Sequence, residues 1–416
     1  MDKIWLKQYP AGVPAEIDVN QYSSLVSLLD DSFRRFADRL AFKFMGKSIS
    51  FRQIDEASIA FAAWLQAQGL ARGDRVAVMM PNVPQYPVAI AAILRAGFVV
   101  VNVNPLYTPR ELEHQLKDSG AKAIVVLENF AVVLAQVMAA VPTKKVVLAS
   151  MGDMLGFPKS LIVNYVVRKV KKMVPAFDLP GAVRFNDALA EGRGKTFKPQ
   201  AVGPDDIAVL QYTGGTTGVS KGAVLLHKNL VANILQAEAW YQPALKKIPQ
   251  GEQVVTICAL PIYHIFGFNT NVMLSMRMGG ANILIANPRD LPGVFKQLQG
   301  EKFHSFPAVN TLFNAMANHP DFSSVDWSSL VISIGGGMAV QSATAKLWLE
   351  KTGCPIVEGY GLSETCRRPP VTPSTAPPTA ATSACRCPTP SSSSSTTTAT
   401  RCRWARRARS RSRARR

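Results

Sequence analysis

Residues 75–103 read RVAVMMPNVPQYPVAIAAILRAGFVVVNV. Arg75–Met80 is a short apolar run of strand length, which Pro81-Asn82 interrupts. Gln85–Leu94 then reads as a helix, and Phe98–Val103 as the next strand. Two buried strands joined by a helix form the unit from which largely parallel, doubly wound sheets are built. The run Val88–Val103 is too short to span a bilayer and is interrupted by Arg95 and Asn102.

The alternation continues outward. Ser24 is placed to cap a helix whose Leu25, Leu28, Leu29, Phe33 and Phe36 share one face, and Phe51–Gln68 predicts a helix ended by Gly69. Ala123–Leu127 and Lys145–Ala149 predict further strands. In the second half, Val254–Leu260, Ala281–Ile285 and Val331–Ile334 predict buried strands, with helices over Pro307–Asn318 and Val340–Lys351. The expected fold class is α/β: two doubly wound subdomains, residues 1–203 and 204–366, followed by a disordered tail, residues 367–416.

Length and composition agree with that division. A chain of 416 residues exceeds one hydrophobic core, and 47% hydrophobic against 18% charged residues excludes wholesale disorder. The net charge of +19 is concentrated in the tail, where 12 Arg stand without a single Lys, Asp or Glu, leaving +7 on the rest. The six cysteines show no paired metal spacing, and Met1–Lys7 is no signal peptide, so a reduced, cytosolic protein is expected.

Between Arg367 and Arg416 there is no Leu, Ile, Phe, Met, Tyr or Gly, so this segment cannot bury a core. An Arg/Ser arm for nucleic acid is one reading. A frameshift is the other, and codon arithmetic favours it. Thr396–Thr400, written ACG ACG ACG GCA ACx, becomes Asp-Asp-Asp-Gly-Asn when moved back one base. Ser391–Ser395 becomes a Val/Ile run under the same move. The true frame is expected to end near Cys366.

Lys159–Val174 predicts an amphipathic helix. Val163, Val166, Val167, Val170, Met173 and Val174 form one face, and Arg168, Lys169, Lys171 and Lys172 the other. Such a helix either lies on an anionic membrane surface or docks on the protein itself.

Four motifs carry chemistry. Tyr212-Thr213-Gly214-Gly215-Thr216-Thr217-Gly218-Val219-Ser220-Lys221-Gly222 lies between the strand patterns Ile207–Gln211 and Ala223–Leu226. Closely spaced glycines let backbone N–H groups approach phosphate oxygens, Thr216, Thr217 and Ser220 add hydroxyls, and Lys221 adds a positive charge. Ser220 stands where the common P-loop has glycine. Gly218–Gly222 is also a literal G-x-S-x-G, but a nucleophile elbow needs a helix directly after it, and a strand-like run follows here.

The second motif, Glu358-Gly359-Tyr360-Gly361-Leu362-Ser363-Glu364-Thr365, offers Tyr360 to stack on a base and Glu364 to ligate Mg2+. The third, Gly335-Gly336-Gly337, follows a strand but fails the dinucleotide fingerprint at Val340. The fourth, Leu260–Phe268, sets His264 among aromatics, where a core histidine is the commoner outcome.

In this order the four motifs resemble the adenylate-forming acyl-CoA synthetases, nearest the bacterial long-chain fatty-acid–CoA ligase branch, over Met1–Cys366. The resemblance implies ATP- and Mg2+-dependent conversion of a fatty acid to acyl-adenylate, then transfer to coenzyme A. Carried over, Thr213, Gly214, Gly215, Thr216, Thr217, Gly218, Ser220, Lys221 and Gly222 would hold the β,γ-phosphates. Gly336, Gly337, Glu358, Gly359, Tyr360, Gly361 and Leu362 would surround adenine, and Ser363 would contact the α-phosphate. Glu364 would ligate Mg2+ with Thr216 nearby, and His264 would sit beside the carboxylate.

The implied setting is the cytoplasm, with peripheral contact at the inner face of the membrane through Lys159–Val174 and no specific nucleic acid. The family continues with a mobile C-terminal domain that supplies a ribose-binding Asp, a hinge and a catalytic Lys, and nothing after Cys366 matches these. This chain is therefore expected to keep the nucleotide cradle with impaired ligase activity. The alternative is a non-catalytic nucleotide-binding remnant with a polycationic tail.

Overall fold

The structure, a computed structural model, describes residues 4–214, 219–365 and 389–390. Gly215, Thr216, Thr217 and Gly218 lie outside the described residues, as do Cys366 and the tail apart from that last dipeptide.

A two-residue strand, β1 (Glu16–Ile17), runs parallel to Thr389–Pro390. The strands that follow are β2 (Leu40–Phe44), β3 (Lys47–Ser50), β4 (Arg75–Met79), β5 (Val99–Asn102), β6 (Ala123–Leu127), β7 (Lys145–Ala149) and β8 (Val183–Arg184). After them come β9 (Ile207–Thr213), β10 (Lys221–Leu226), β11 (Val255–Cys258), β12 (Ala281–Leu284), β13 (Ser305–Ala308), β14 (Ile332–Gly336) and β15 (Ile356–Gly359).

These make two seven-stranded sheets, ordered β10-β9-β5-β4-β6-β7-β8 and β15-β14-β13-β11-β12-β2-β3. Each is parallel except for one antiparallel hairpin at an edge, β9–β10 in the first and β2–β3 in the second. The α/β, doubly wound class is what the sequence predicts. Position 203 does not separate the sheets: β9 and β10, beyond it, complete the first, while β2 and β3, from residues 40–50, complete the second.

Local chemistry explains the element ends. Ser24 and Ser27 exchange hydrogen bonds as a capping box that starts the helix Leu25–Arg35, and Ser50 and Gln53 do the same for Phe51–Gln66. The helix Gln85–Arg95 is buried along its whole length, which is why its sequence is apolar on every face. Arg95 is stabilised there by Asp30 at 2.5 Å and Asp55 at 2.7 Å.

Two expectations needed correction. Pro307, expected to begin a helix, lies in strand β13, and the helix starts only at Asn310. A proline in an inner strand lacks a ladder donor. It is accommodated because β13 meets β11 only at Ser305–Thr256, leaving that side open at Pro307.

The second correction concerns Lys159–Val174. The α-helix ends at Tyr165 and continues as wider π turns over Val166–Val170, after which Lys172 reverses the chain at φ 49°. Val167 is buried, and Val163 and Val174 pack beside it on the main core. Arg168 is not a free surface charge: it donates to both oxygens of the buried Glu128, each at 2.9 Å, and to Ser150 Oγ at 2.8 Å. Among the described residues no helix is long and apolar enough to cross a membrane.

Candidate functional site

The site forms where the C-terminal ends of strands from both sheets face one cavity of about 730 Å3. Its walls include Asn102, Tyr107, His114, Gln211, Thr213, Gly214, Ser220, Tyr263, His264 and Ser363. Thr213 ends β9 and Lys221 opens β10 directly opposite it, as the paired ends of an antiparallel hairpin. Ser220 Oγ donates to the Thr213 carbonyl at 2.8 Å and ties the two strand ends together. The Ser220 carbonyl is held by His114 Nε2 at 2.8 Å. Because β10 follows Ser220 at once, with no helix, the hydrolase-elbow reading fails on geometry.

Ser363, on the cavity wall, and Glu364 lie in a short 3-10 turn after β15. Thr213 Oγ1 donates to Glu364 Oε1 at 3.3 Å, which joins the first and second motifs. Glu358 accepts from the Val340 backbone N–H at 3.1 Å. Gly336 is held to glycine by contact: a Cβ there would come within 2.8 Å of the Phe266 ring and 3.1 Å of the Gly359 carbonyl. Three motifs therefore pack on one another at this point. Gly267 fits for a similar reason, since its Cβ would meet the Pro261 carbonyl at 2.3 Å.

The expected residues divide into two groups. Thr213, Gly214, Ser220, His264 and Ser363 converge on the cavity. Gly336, Glu358 and Gly359 sit on the adjoining strands β14 and β15, Tyr360, Gly361 and Leu362 are exposed directly after β15, and Lys221 is exposed at the start of β10.

His264 stands exposed on the cavity wall, yet the surrounding protein desolvates its ring and lowers its pKa below the ordinary value, favouring neutral imidazole. Burial raises the Tyr107 and Tyr263 phenols. Burial and then the Asp118 hydrogen bond push Tyr212 far above the ordinary phenol range, so it remains protonated and donates to Asp118 Oδ2 at 2.7 Å.

Sequence reasoning missed the polar seam that positions this wall. Tyr86 OH donates to Asn102 Oδ1 at 2.5 Å, Asn102 Nδ2 to Gln211 Oε1 at 2.9 Å, and Gln211 Nε2 to the Tyr263 carbonyl at 3.1 Å. Asn82 clamps the same segment, donating to the Cys258 and Leu260 carbonyls at 2.9 Å each and accepting from the Ile262 N–H at 2.9 Å. Both asparagines and Gln211 are buried. Their signal was a lone amide breaking, or directly following, an apolar strand pattern.

For a resident metal the site offers Glu364, bonded to Thr213, and Glu111 on the cavity wall, with no cluster of three or more acidic, His or Cys groups among the described residues. That donor set fits Mg2+ carried mainly by substrate phosphates, since Mg2+ commonly takes one or two carboxylates and keeps several waters.

Comparison with known proteins adds to the geometry. The family model described as AMP-binding enzyme matches residues 29–393. A long-chain-fatty-acid–CoA ligase of Escherichia coli O157:H7 is 52% identical over 366 residues, 88% of this chain and 64% of its own length. The chain thus spans about 64% of that curated relative. The crystal structure of the anthranilate CoA ligase AuaEII in complex with anthranoyl-AMP superposes with TM-score 0.71 at 21% identity, covering 85% of this chain and 63% of its own. A long-chain-fatty-acid-CoA ligase from Archaeoglobus fulgidus superposes with TM-score 0.70 at 23% identity, covering 88% and 68%. At those identities the superpositions show a shared fold.

Proposed function

The chain belongs to the AMP-binding enzyme family, and on that premise we propose that it carries the nucleotide- and acyl-binding part of a long-chain fatty-acid–CoA ligase. Its substrates would be ATP, a fatty acid and coenzyme A, in the cytoplasm with peripheral membrane contact through Lys159–Val174.

In the first step a fatty carboxylate oxygen attacks the α-phosphorus of ATP. The bond to the bridging oxygen breaks, pyrophosphate leaves and acyl-adenylate remains. In the second, the thiol sulfur of coenzyme A attacks the acyl carbonyl, loses its proton, and AMP departs. Such chemistry depends on positioning and on neutralising phosphate charge. The Thr213–Gly222 segment would hold the β,γ-phosphates, and Ser363 would contact the α-phosphate. Gly336, Gly337 and Glu358–Leu362 would take adenine. Neutral His264 would hydrogen-bond the carboxylate without trapping it as an ion pair. Glu364, with Thr216, would hold Mg2+, which supplies charge neutralisation on the phosphates when bound.

The observation that carries this reading is the 3.3 Å bond from Thr213 to Glu364, made by a residue of the cavity wall that His264 and Ser363 share. The test is titration calorimetry of Mg–ATP with the full chain. Wild type should bind, and Glu364→Gln should weaken binding at least about tenfold with the fold unchanged by circular dichroism. A folded wild-type chain that takes up no Mg–ATP would overturn the proposal.

A further inference from the structure

The segment Phe157–Met173 presents an outer face that differs from the one expected of it. Its inner face is fixed to the protein by Val167 in the core and by Arg168 on Glu128 and Ser150. The Met173 N–H bonds back to the Val167 carbonyl at 2.9 Å after the reversal at Lys172. The outer face carries Phe157, Leu161, Ile162, Tyr165, Val170 and Met173, each 49–85% exposed.

Single exposed apolar side chains are ordinary, but six within one short segment mark an interaction surface. Lys169, Lys171 and Lys172 are exposed beside it, Lys159 is held by the Met45 carbonyl, and no acid occurs from residue 159 to 177. Apolar wedge, amphipathic tyrosine and a purely cationic border are what an anionic headgroup layer over acyl chains matches.

We infer that Phe157–Met173 is a docking surface for an anionic lipid bilayer, with Phe157, Leu161 and Ile162 entering the headgroup–acyl boundary and Lys169, Lys171 and Lys172 meeting lipid phosphates. The inference deepens the membrane-contact part of the function proposed above and rests on it. Charge complementarity favours a bilayer, because a protein partner would need an apolar socket bordered by carboxylates to match exposed apolar groups flanked by lysines alone.

The test must separate this face from the Arg-rich tail, which any polyanion attracts. Hydrogen exchange of the full 416-residue chain is measured with and without phosphatidylglycerol/phosphatidylethanolamine vesicles. Exchange should slow across residues 157–173 on the vesicles. At about 0.5 M salt, where tail electrostatics are screened, Phe157→Ser/Leu161→Ser/Ile162→Ser should lower vesicle partitioning at least about tenfold. Lys169→Glu/Lys171→Glu/Lys172→Glu should lower partitioning to phosphatidylglycerol vesicles and leave the weaker partitioning to phosphatidylcholine unchanged.

Unchanged exchange at 157–173 in vesicle-bound protein overturns the inference, as does equal partitioning of the serine variant. Protection of 157–173 that tracks self-association without lipid would assign the face to a second copy instead. Mg–ATP binding measured on the same samples keeps the two proposals apart: lost lipid protection with ATP binding intact sinks only the docking surface. ATP binding lost with lipid protection intact sinks only the nucleotide reading.

Discussion

Two buried regions of this molecule are built by opposite means. At the outer part of the second sheet, Phe306, Phe313, Phe322, Trp327 and Trp348 pack ring on ring, with Phe322 stacked on Trp327 and Phe313 edge-on to Trp348, each at 4.8 Å. At the seam between the sheets, Asn82, Asn102 and Gln211 join elements through amide hydrogen bonds. Ring packing supplies much apolar burial with modest directionality. Amide bonds add little net stability but fix orientation, because a mispaired buried amide is costly. The wall bearing His264 is held the second way, so stability and site geometry should come apart under mutation.

The largest expected effect lies in the aromatic region. Trp348→Ala should destabilise the fold by about 3–5 kcal/mol in urea titration, while Mg–ATP affinity stays unchanged. An equal loss of affinity would erase the distinction between the regions.

Acid sharpens the contrast, because it acts on titratable groups packed about the first sheet. His227 is buried at the start of the helix after β10, with Nδ1 accepting from the Leu25 N–H at 3.1 Å. Burial lowers its pKa from 6.5 to about 4. Between those values the unfolded chain binds a proton that the fold refuses. This contribution is therefore full above pH 6.5 and is lost as pH falls toward 4, by up to about 3 kcal/mol.

Asp153 opposes it. Burial raises its carboxyl from 3.8 to about 6, so the folded state holds the extra proton and stability falls as pH rises through that window. The two slopes offset in the wild type. Asp153→Asn should expose the His227 slope as urea midpoints that rise from pH 4 to pH 6.5. A flat profile in that variant would remove His227 from the account.

Asn82→Ala should cost about 1–3 kcal/mol, because it strands the Leu260 carbonyl and the Ile262 N–H and removes one of the two donors to the Cys258 carbonyl. It should also lower Mg–ATP affinity, since residues 258–264 lose their clamp. Lost stability with full affinity would reduce the seam to a structural joint. The smallest effect is expected of Ser220→Ala, about 1 kcal/mol from the bond to the Thr213 carbonyl, read by thermal melting. Wild-type Ser220 should resist fluorophosphonate labelling.

Legibility followed the same division. Ala123–Leu127 and Lys145–Ala149 are read correctly to the residue, because uninterrupted apolar runs bounded by polar turns leave little choice. The hairpin Leu40–Ser50 mixes Lys43, Lys47 and Ser48 into its strands, and β13 contains a proline, so neither carries a clean period. Thr213, Gly214, Ser220 and Ser363, which the structure brings to one cavity, stand out in the sequence because glycine and hydroxyl clustering is local, and His264 because it sits among aromatics. Asn102 and Gln211 are not, since each acts through a partner about a hundred positions away, and Arg168 turns inward to a Glu128 that helical spacing cannot see.

The exchange of hairpins between the sheets has a consequence during synthesis. Phe42 of β2 pairs with Asn282 of β12, so that edge emerges from the ribosome about 240 residues before its template, a wait of roughly 12–50 s at translation speeds of about 5–20 residues per second. Through that interval the nascent N-terminal segment carries an unpaired strand edge that only later chain can cover. Chaperone occupancy on stalled nascent chains should persist until β12 has left the exit tunnel.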